Sequence, residues 1–209
     1  YDPVHPQVQE AAGTLIQCLI HKGDLYDAER FAQLTLESLK DPANKVEQES
    51  EAVAETYYNL GMVIQERNEN LVRAEMLARK ALRIRAQLHG NDHCLVAESV
   101  SLLAGILRKQ GNFGVEMKEL IERSLAIYIK HVGPDGVNTS ISNMSLGHFH
   151  CGLAGTSLSA DERKEHLQLS KFYYTEALRI STKIFGPAHP DTIKAASELL
   201  IVSHALSEA

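Results

Sequence analysis

The sequence has few residues that interrupt helices and few that cross-link chains. It contains six prolines in 209 residues, and no apolar run approaches the length of a transmembrane helix. Low proline with abundant alanine, leucine, glutamate and lysine favours helices. The three cysteines, Cys18, Cys94 and Cys151, are odd in number and far apart, so they do not indicate a disulfide framework. We therefore expect a helical, cytoplasmic protein from a reducing environment.

Charge and missing motifs argue against several functions. The formal net charge is −6, whereas a nucleic-acid-binding protein normally has a basic face. The basic residues Arg79, Lys80, Arg83 and Arg85 interleave with acids, which indicates a solvated helix face. No phosphate-binding glycine loop, nucleophile elbow, catalytic carboxylate pair or secretion signal is present. We expect no enzyme activity, no cofactor, no small-molecule substrate, and no nucleic-acid or membrane partner.

A turn motif recurs along the chain. Its copies lie at 88–93, 132–136 and 184–190, and a copy without glycine lies at 2–6. Leucines follow at matching distances in two series, one per helix: Leu15, Leu60, Leu103, Leu146 and Leu199, and then Leu36, Leu82, Leu125 and Leu178. Because both series advance together in steps of 43 to 53 residues, a whole helix-turn-helix unit is repeated.

The apolar periodicity predicts paired helices that stack into one domain, 1–209. The predicted helices are 7–22, 26–39, 50–67, 72–88, 95–110, 115–131, 138–154, 162–184 and 190–207. The predicted repeats are 1–44, 45–90, 91–133 and 134–186, with a terminal helix at 187–209. A single pair cannot cover its own apolar stripe, so neighbouring pairs must share a core. A polar turn at 155–161 lengthens the fourth repeat, and we read it as a surface insertion or as a partner-contacting lip.

These residues resemble a known family. The segments 58–61, 74–75, 79–84 and 88–93 look like a tetratricopeptide repeat of the kinesin-light-chain type, and 186–190 matches that family's link, Gly-Pro-x-His-Pro, in full. The resemblance implies an all-α, right-handed superhelical solenoid of four antiparallel helix pairs plus a C-terminal helix. Met117 and Ser170 depart from the small alanine of the pattern, and the heptad segment of kinesin light chains is absent. HEAT-type repeats of similar length are the alternative.

In the family that the chain resembles, the first helix of each pair lines a concave groove that receives a peptide or a partner helix. The corresponding residues here are Thr14, Gln17, His21, Glu55, Tyr58, Asn59, Met62, Glu66, Glu98, Leu102, Arg108, Lys109, Ser145 and His148. Asn59 matches a family position that can hold a ligand's backbone amide, or else it bonds within its own repeat. Because the charges are mixed, we expect weak or no binding of acidic C-terminal tails.

A metal site is the weaker interpretation of one cluster. On a helix His148 and Cys151 share a face, while His150 points elsewhere and His166 approaches only if the next helix brings it near. Two ligands do not make a zinc site, so we expect no metal. The sequence therefore predicts a scaffold or adaptor that binds another protein, either alone or as a segment of a larger protein. The alternative is a structural segment that stacks on itself.

Overall fold

The described part of the chain is entirely helical. The computed structural model describes residues 5–40, 49–156 and 159–208, and within these ranges it contains nine α-helices and no strand. The helices are α1 Pro6–Lys22, α2 Leu25–Lys40, α3 Glu51–Arg67, α4 Leu71–His89, α5 Cys94–Lys109, α6 Val115–Val132, α7 Val137–Thr156, α8 Ala160–Phe185 and α9 Pro190–Ser207. The predicted fold class is confirmed, and each predicted helix is found with its ends shifted by at most two residues.

The helices form two compact units, residues 1–110 and 111–209. In the first unit α1 packs on α2 and α3, and α3 packs on α2, α4 and α5. In the second unit α7 packs on α6 and α8, and α9 packs on α8. The first helices of successive repeats, α1, α3 and α5, are therefore direct neighbours. The description of the chain as a single domain stays a prediction.

The recurring turn is a helix stop joined to a helix start. Gly90 and Gly186 end α4 and α8 with φ of 81° and 83°, a left-handed conformation that glycine adopts without a steric cost. Three residues later, the Nδ1 atoms of His93 and His189 accept hydrogen bonds from the backbone N–H groups of Leu95 and Asp191. The rings of His89 and Phe185, just before each glycine, stack on these two histidines. The histidine of the link is thus a helix cap.

The first leucine series marks the core with one exception. Leu60, Leu103 and Leu146 are at most 1% exposed, and Leu199 packs against the core of the second unit. Leu15 belongs to this series but is 43% exposed, and the adjacent Ile16 is buried instead. The physical reason is the rotation of α1, which turns Gly13 and Gln17 toward Glu55 and Asn59 of α3. The alanines Ala28 and Ala74 are fully buried, as close helix packing requires.

The polar turn predicted at 155–161 is much shorter than expected. Helix α7 continues to Thr156, and α8 begins at Ala160. Ser159 caps α8 by accepting a hydrogen bond from the backbone N–H of Glu162, at 3.1 Å. Asp161 and Glu162 fill the first turn of that helix, where negative charge is favourable. Much of the predicted insertion therefore extends the two helices; residues 157 and 158 lie outside the described residues.

Candidate functional site

Twelve of the fourteen predicted groove residues lie on three neighbouring helices of the first compact unit. We call this set of side chains on α1, α3 and α5 the first-helix face. Its members are Thr14, Gln17 and His21 on α1, Glu55, Tyr58, Asn59, Met62 and Glu66 on α3, and Glu98, Leu102, Arg108 and Lys109 on α5. Thr14 and His21 are exposed at one edge and bond to backbone carbonyls of α1. The other two predicted residues, Ser145 and His148, lie on α7 in the second unit.

Asn59 joins the first two helices of this face. Its side-chain oxygen accepts a hydrogen bond of 2.7 Å from Nε2 of Gln17 on α1. Asn59 is 1% exposed, and its amide nitrogen Nδ2 is buried without a hydrogen-bond partner among the described residues. The side chain is thus bonded to a neighbouring repeat and not within its own. Its role in holding a partner stays a prediction.

A buried arginine organises one end of the face. Arg85 of α4 is 2% exposed, and its guanidinium lies 3.0 Å from Glu51 and 3.5 Å from Glu98. The same group donates to the backbone oxygen of Leu95 and lies over the ring of Tyr58, 4.8 Å from its centroid. Such a planar, delocalised cation suits a buried ion-pair and stacking site. Arg85 therefore fixes the positions of groups contributed by α3 and α5.

The acidic side chains here are poorly compensated. Burial raises the pKa of Glu55, where Arg85 opposes the shift and the charges of Glu51 and Glu98 add to it. Burial likewise raises the pKa of Glu98. Burial, with the nearby charge of Glu98, raises the pKa of Tyr58 to about 12. Around one buried cation, three carboxylates are gathered, so this end of the face has an excess of negative charge.

The opposite end of the face is basic. Lys109 donates to the backbone oxygen of Gln65 and lies 4.0 Å from a carboxylate oxygen of Glu66. Arg108 is half-buried beside it in the last turn of α5. Between the two ends, Met62 is half-buried, whereas Leu102 is buried against Gly61 of α3. The face thus has an acidic end, an apolar middle and a basic end, and Leu102 belongs to its packed support.

The histidines of α7 divide between two helices of the second unit. His148 lies 3.4 Å from Glu198 of α9. His150 points to a different helix from His148, as predicted: it is buried and meets His166 of α8, with 3.3 Å between their Nδ1 atoms. In the described ranges, no group of three or more histidine, cysteine, aspartate or glutamate side chains is placed to hold a metal ion. Ser145 bonds to the backbone of its own helix.

The buried His150 predicts acid sensitivity. Burial, together with His166 and Lys118, lowers the pKa of His150 to about 4. The ring of Tyr173 stacks on His150 from α8. The unfolded chain takes up this proton near pH 6.5, and the folded chain only near pH 4, so stability is full above pH 6.5 and falls below it. We expect a loss on the order of 2 kcal/mol by pH 4 from this group.

Chemical denaturation at several pH values between 7 and 4 checks this expectation. His150→Gln should remove most of the acid-dependent loss, whereas His204→Gln, at an exposed position of α9, should leave it in place. Equal losses in the wild-type protein and in His150→Gln would assign the acid sensitivity to other groups.

Sequence reasoning missed Arg85, the residue that organises the face. It was grouped with three neighbours as part of a solvated helix face, and for Arg85 that interpretation is wrong because the side chain is buried. The sequence does contain a pattern that indicates burial of Arg85. Ala74, Ala78 and Ala81 follow one another at helical spacing, all three are buried, and Arg85 continues that stripe. An arginine on an apolar stripe indicates a buried ion pair, since a lone buried charge is costly.

Comparison with known proteins identifies the repeat. Residues 53–93 match the family model of the tetratricopeptide repeat. A search of curated protein sequences finds no significant match. Within the described residues, no helix combines the length and the apolar character needed to cross a membrane.

Solved structures extend the similarity to nearly the whole chain. A kinesin-light-chain-like protein of nearly identical repeats from Podosopora anserina is 17% identical, with a TM-score of 0.72, over 98% of this chain and 89% of that one. BtubC from P. vanneervenii is 12% identical, with a TM-score of 0.60, over 97% and 82% of the two chains. Residues 53–93 are therefore a tetratricopeptide repeat, and the chain has the helical-repeat fold of kinesin-light-chain-like tetratricopeptide proteins.

Proposed function

We propose that this chain is a non-catalytic scaffold that binds a segment of another protein on its first-helix face. Tetratricopeptide repeats generally serve as protein-interaction scaffolds, and the repeat at 53–93 contributes the central helix of this face. The observation that carries the proposal is that α1, α3 and α5 are adjacent helices, which carry twelve of the predicted side chains, ten of them at least partly exposed. Recognition sites on helices hold their side chains more precisely than sites on loops.

The surface has the features that a partner segment needs. Met62 offers a half-buried apolar contact, and Glu55, Glu98 and Arg108 on the same set of helices are half-buried charged side chains. Half-buried apolar groups with a polar rim are typical of protein interfaces. The proposed partner is a peptide or helix of another protein, bound in the cytoplasm without a cofactor.

A matched pair of methionine variants tests this function. Peptides selected from a random display library with the intact chain serve as ligands. Met62→Lys should weaken the selected peptides at least about tenfold because it places a charge in the apolar middle of the face. Met76→Lys, at a position of α4 that is 56% exposed, should change the dissociation constant less than about twofold. Equal effects of the two variants would refute binding at this face, provided that both variants keep the wild-type helical circular dichroism.

Self-association is a second candidate, favoured by an exposed apolar strip on α9. Ile193, Leu200 and Ile201 are 53%, 72% and 61% exposed. Exposed apolar residues in one patch are typical of interaction surfaces. Sedimentation velocity at increasing concentration should then show assembly that Leu200→Lys abolishes. A monomer at every concentration would exclude this candidate.

A further inference from the structure

A second concave surface lies away from the first-helix face, on the second helices of the first compact unit. It is an open cleft of about 410 Å³, formed by α2, the end of α3 and the start of α4. That volume is within the range of ligand-binding pockets. Three guanidinium groups line it, those of Arg30, Arg67 and Arg73, and we call it the arginine cleft.

One carboxylate holds two of these guanidiniums close together. Glu29 of α2 contacts Arg67 and, at 3.0 Å, Arg73 of α4. A single negative charge does not neutralise two cations, and Glu69 supplies a second carboxylate to Arg67 at 2.8 Å. Among the described residues, the only other side chain that the Arg73 guanidinium contacts is the neutral Gln33, at 3.1 Å. The positive charge of Arg73 is therefore only partly compensated.

Arg30 adds a third guanidinium to this pair. It is exposed and forms no hydrogen bond or ion pair with any residue that the structure describes. The three guanidiniums thus face two carboxylates, Glu29 and Glu69, and one positive charge of the cleft is left over. Each guanidinium also has five N–H donors in a planar fork, so most of the donors here are available to water or to a ligand.

An exposed aromatic ring borders these cations. Tyr26 lies one helical turn before Arg30 on the same face of α2. Its side chain is 73% exposed, and the guanidinium of Arg67 lies 5.9 Å from its ring centroid. Tyrosine and arginine are both enriched in protein interfaces. This neighbour favours a ligand that is part of a protein segment over a free ion.

We propose that the arginine cleft binds a phosphorylated segment of another protein, with the phosphate held by Arg30 and Arg73 and the adjoining residues packed on Tyr26. A phosphorylated side chain carries a charge of about −1.5 to −2 at pH 7 and three acceptor oxygens. It therefore neutralises the surplus charge and accepts hydrogen bonds from several guanidinium donors at once. A carboxylate offers one charge and two oxygens, and it gains less. The cleft is separate from the first-helix face, so this inference goes beyond the function proposed above.

The test uses the intact chain and synthetic 12-residue peptides that have phosphoserine at the centre and random residues on both sides. The tightest of them should bind at least about tenfold better than the same peptide with serine. Arg30→Gln and Arg73→Gln should each weaken the phosphopeptide about tenfold. Glu69→Gln should strengthen it, because this substitution removes a carboxylate, 62% exposed, that repels the phosphate. Damage to the fold would not produce such a gain.

Arg83→Gln is the matched control. It removes the same charge from α4 at a position outside the cleft, where the side chain is 55% exposed. Arg83 follows Arg73 by ten residues, about 15 Å along the helix, so screening should keep its effect on the dissociation constant below about twofold. Met62→Lys should also leave the dissociation constant unchanged, since Met62 lies on the first-helix face.

Four results would overturn the phosphate site and leave binding at the first-helix face untouched as a proposal. They are equal affinities for the phosphoserine and serine peptides, equal losses from Arg30→Gln and Arg83→Gln, binding of a glutamate peptide as tight as that of the phosphopeptide, and failure of every phosphopeptide to bind. A loss of phosphopeptide affinity in Met62→Lys as large as that in Arg30→Gln would also overturn it. Circular dichroism and thermal unfolding of each variant show whether a lost affinity reflects a lost fold.

Discussion

Replacement of Arg85 with methionine should lower the free energy of unfolding by about 3 kcal/mol. Methionine keeps most of the side-chain volume but removes the cation that Glu51 and Glu98 contact. Removal of one partner from a buried ion pair leaves the other uncompensated, and here Glu55 adds a third carboxylate nearby. The measurement is chemical denaturation of the variant and the wild-type protein at pH 7.

The control lies on the same helix. Arg83 contacts Glu49 at the surface, where both side chains are more than half exposed, so Arg83→Met should change the free energy of unfolding by less than about 0.5 kcal/mol.

The loss of unfolding free energy caused by Arg85→Met should also shrink as the pH falls toward 4. Without Arg85, the nearby carboxylates of the folded variant have raised pKa values. As the pH falls, they are therefore protonated in the folded state before they are protonated in the unfolded state, which stabilises the folded variant. A pH-independent deficit would indicate lost packing alone.

Gly147→Ala should destabilise the second unit by about 2–3 kcal/mol. A Cβ atom at this position of α7 would lie 2.3 Å from the ring of Tyr174, which is 1% exposed and has little room to move. Ser170 of α8 also donates to the Gly147 backbone oxygen at 2.9 Å, which holds the two helices close together. Overpacking therefore outweighs the helix propensity that alanine would add.

Gly155 offers a matched control in the same helix. Nothing lies within 4 Å of the Cβ that Gly155→Ala would add, and the residue is exposed. At this position only the higher helix propensity of alanine over glycine acts, so we expect Gly155→Ala to raise the free energy of unfolding by up to about 1 kcal/mol. Thermal or chemical unfolding of the two variants gives the comparison. A shift of stability in the same direction by both substitutions would contradict close packing of α7 on α8.

The helices were predictable because their signals are local. Each one has its own apolar periodicity, and links such as Gly186 to His189 place a helix stop next to a helix cap. The shift of burial from Leu15 to Ile16 was not predictable from the leucine series, because it depends on how α1 is rotated against α3. The end of α7 was misplaced because Gly155 looks like a turn residue, although Ser159 is the cap that starts the next helix.

The sequence pattern assigned the predicted site residues to helices but did not contain their contacts. Alignment on the leucines assigned twelve of them to α1, α3 and α5, and those three helices are neighbours; that these residues bind a partner stays a prediction. The bond from Gln17 to Asn59 depends on how α1 is rotated against α3, and the sequence pattern of one helix does not contain that rotation. Arg85 is on a second helix of its repeat, so a search confined to first helices could not include it.

Methionine methyl resonances give the most direct test of binding on the first-helix face. The chain has four methionines: Met62 on the face, Met76 exposed on α4, Met117 buried on α6 and Met144 half-buried on α7. With ¹³C-methyl-methionine protein and a selected peptide, we predict that the Met62 signal shifts with saturation while the Met76 signal stays in place. A saturable shift of Met76 with Met62 unchanged would contradict the account.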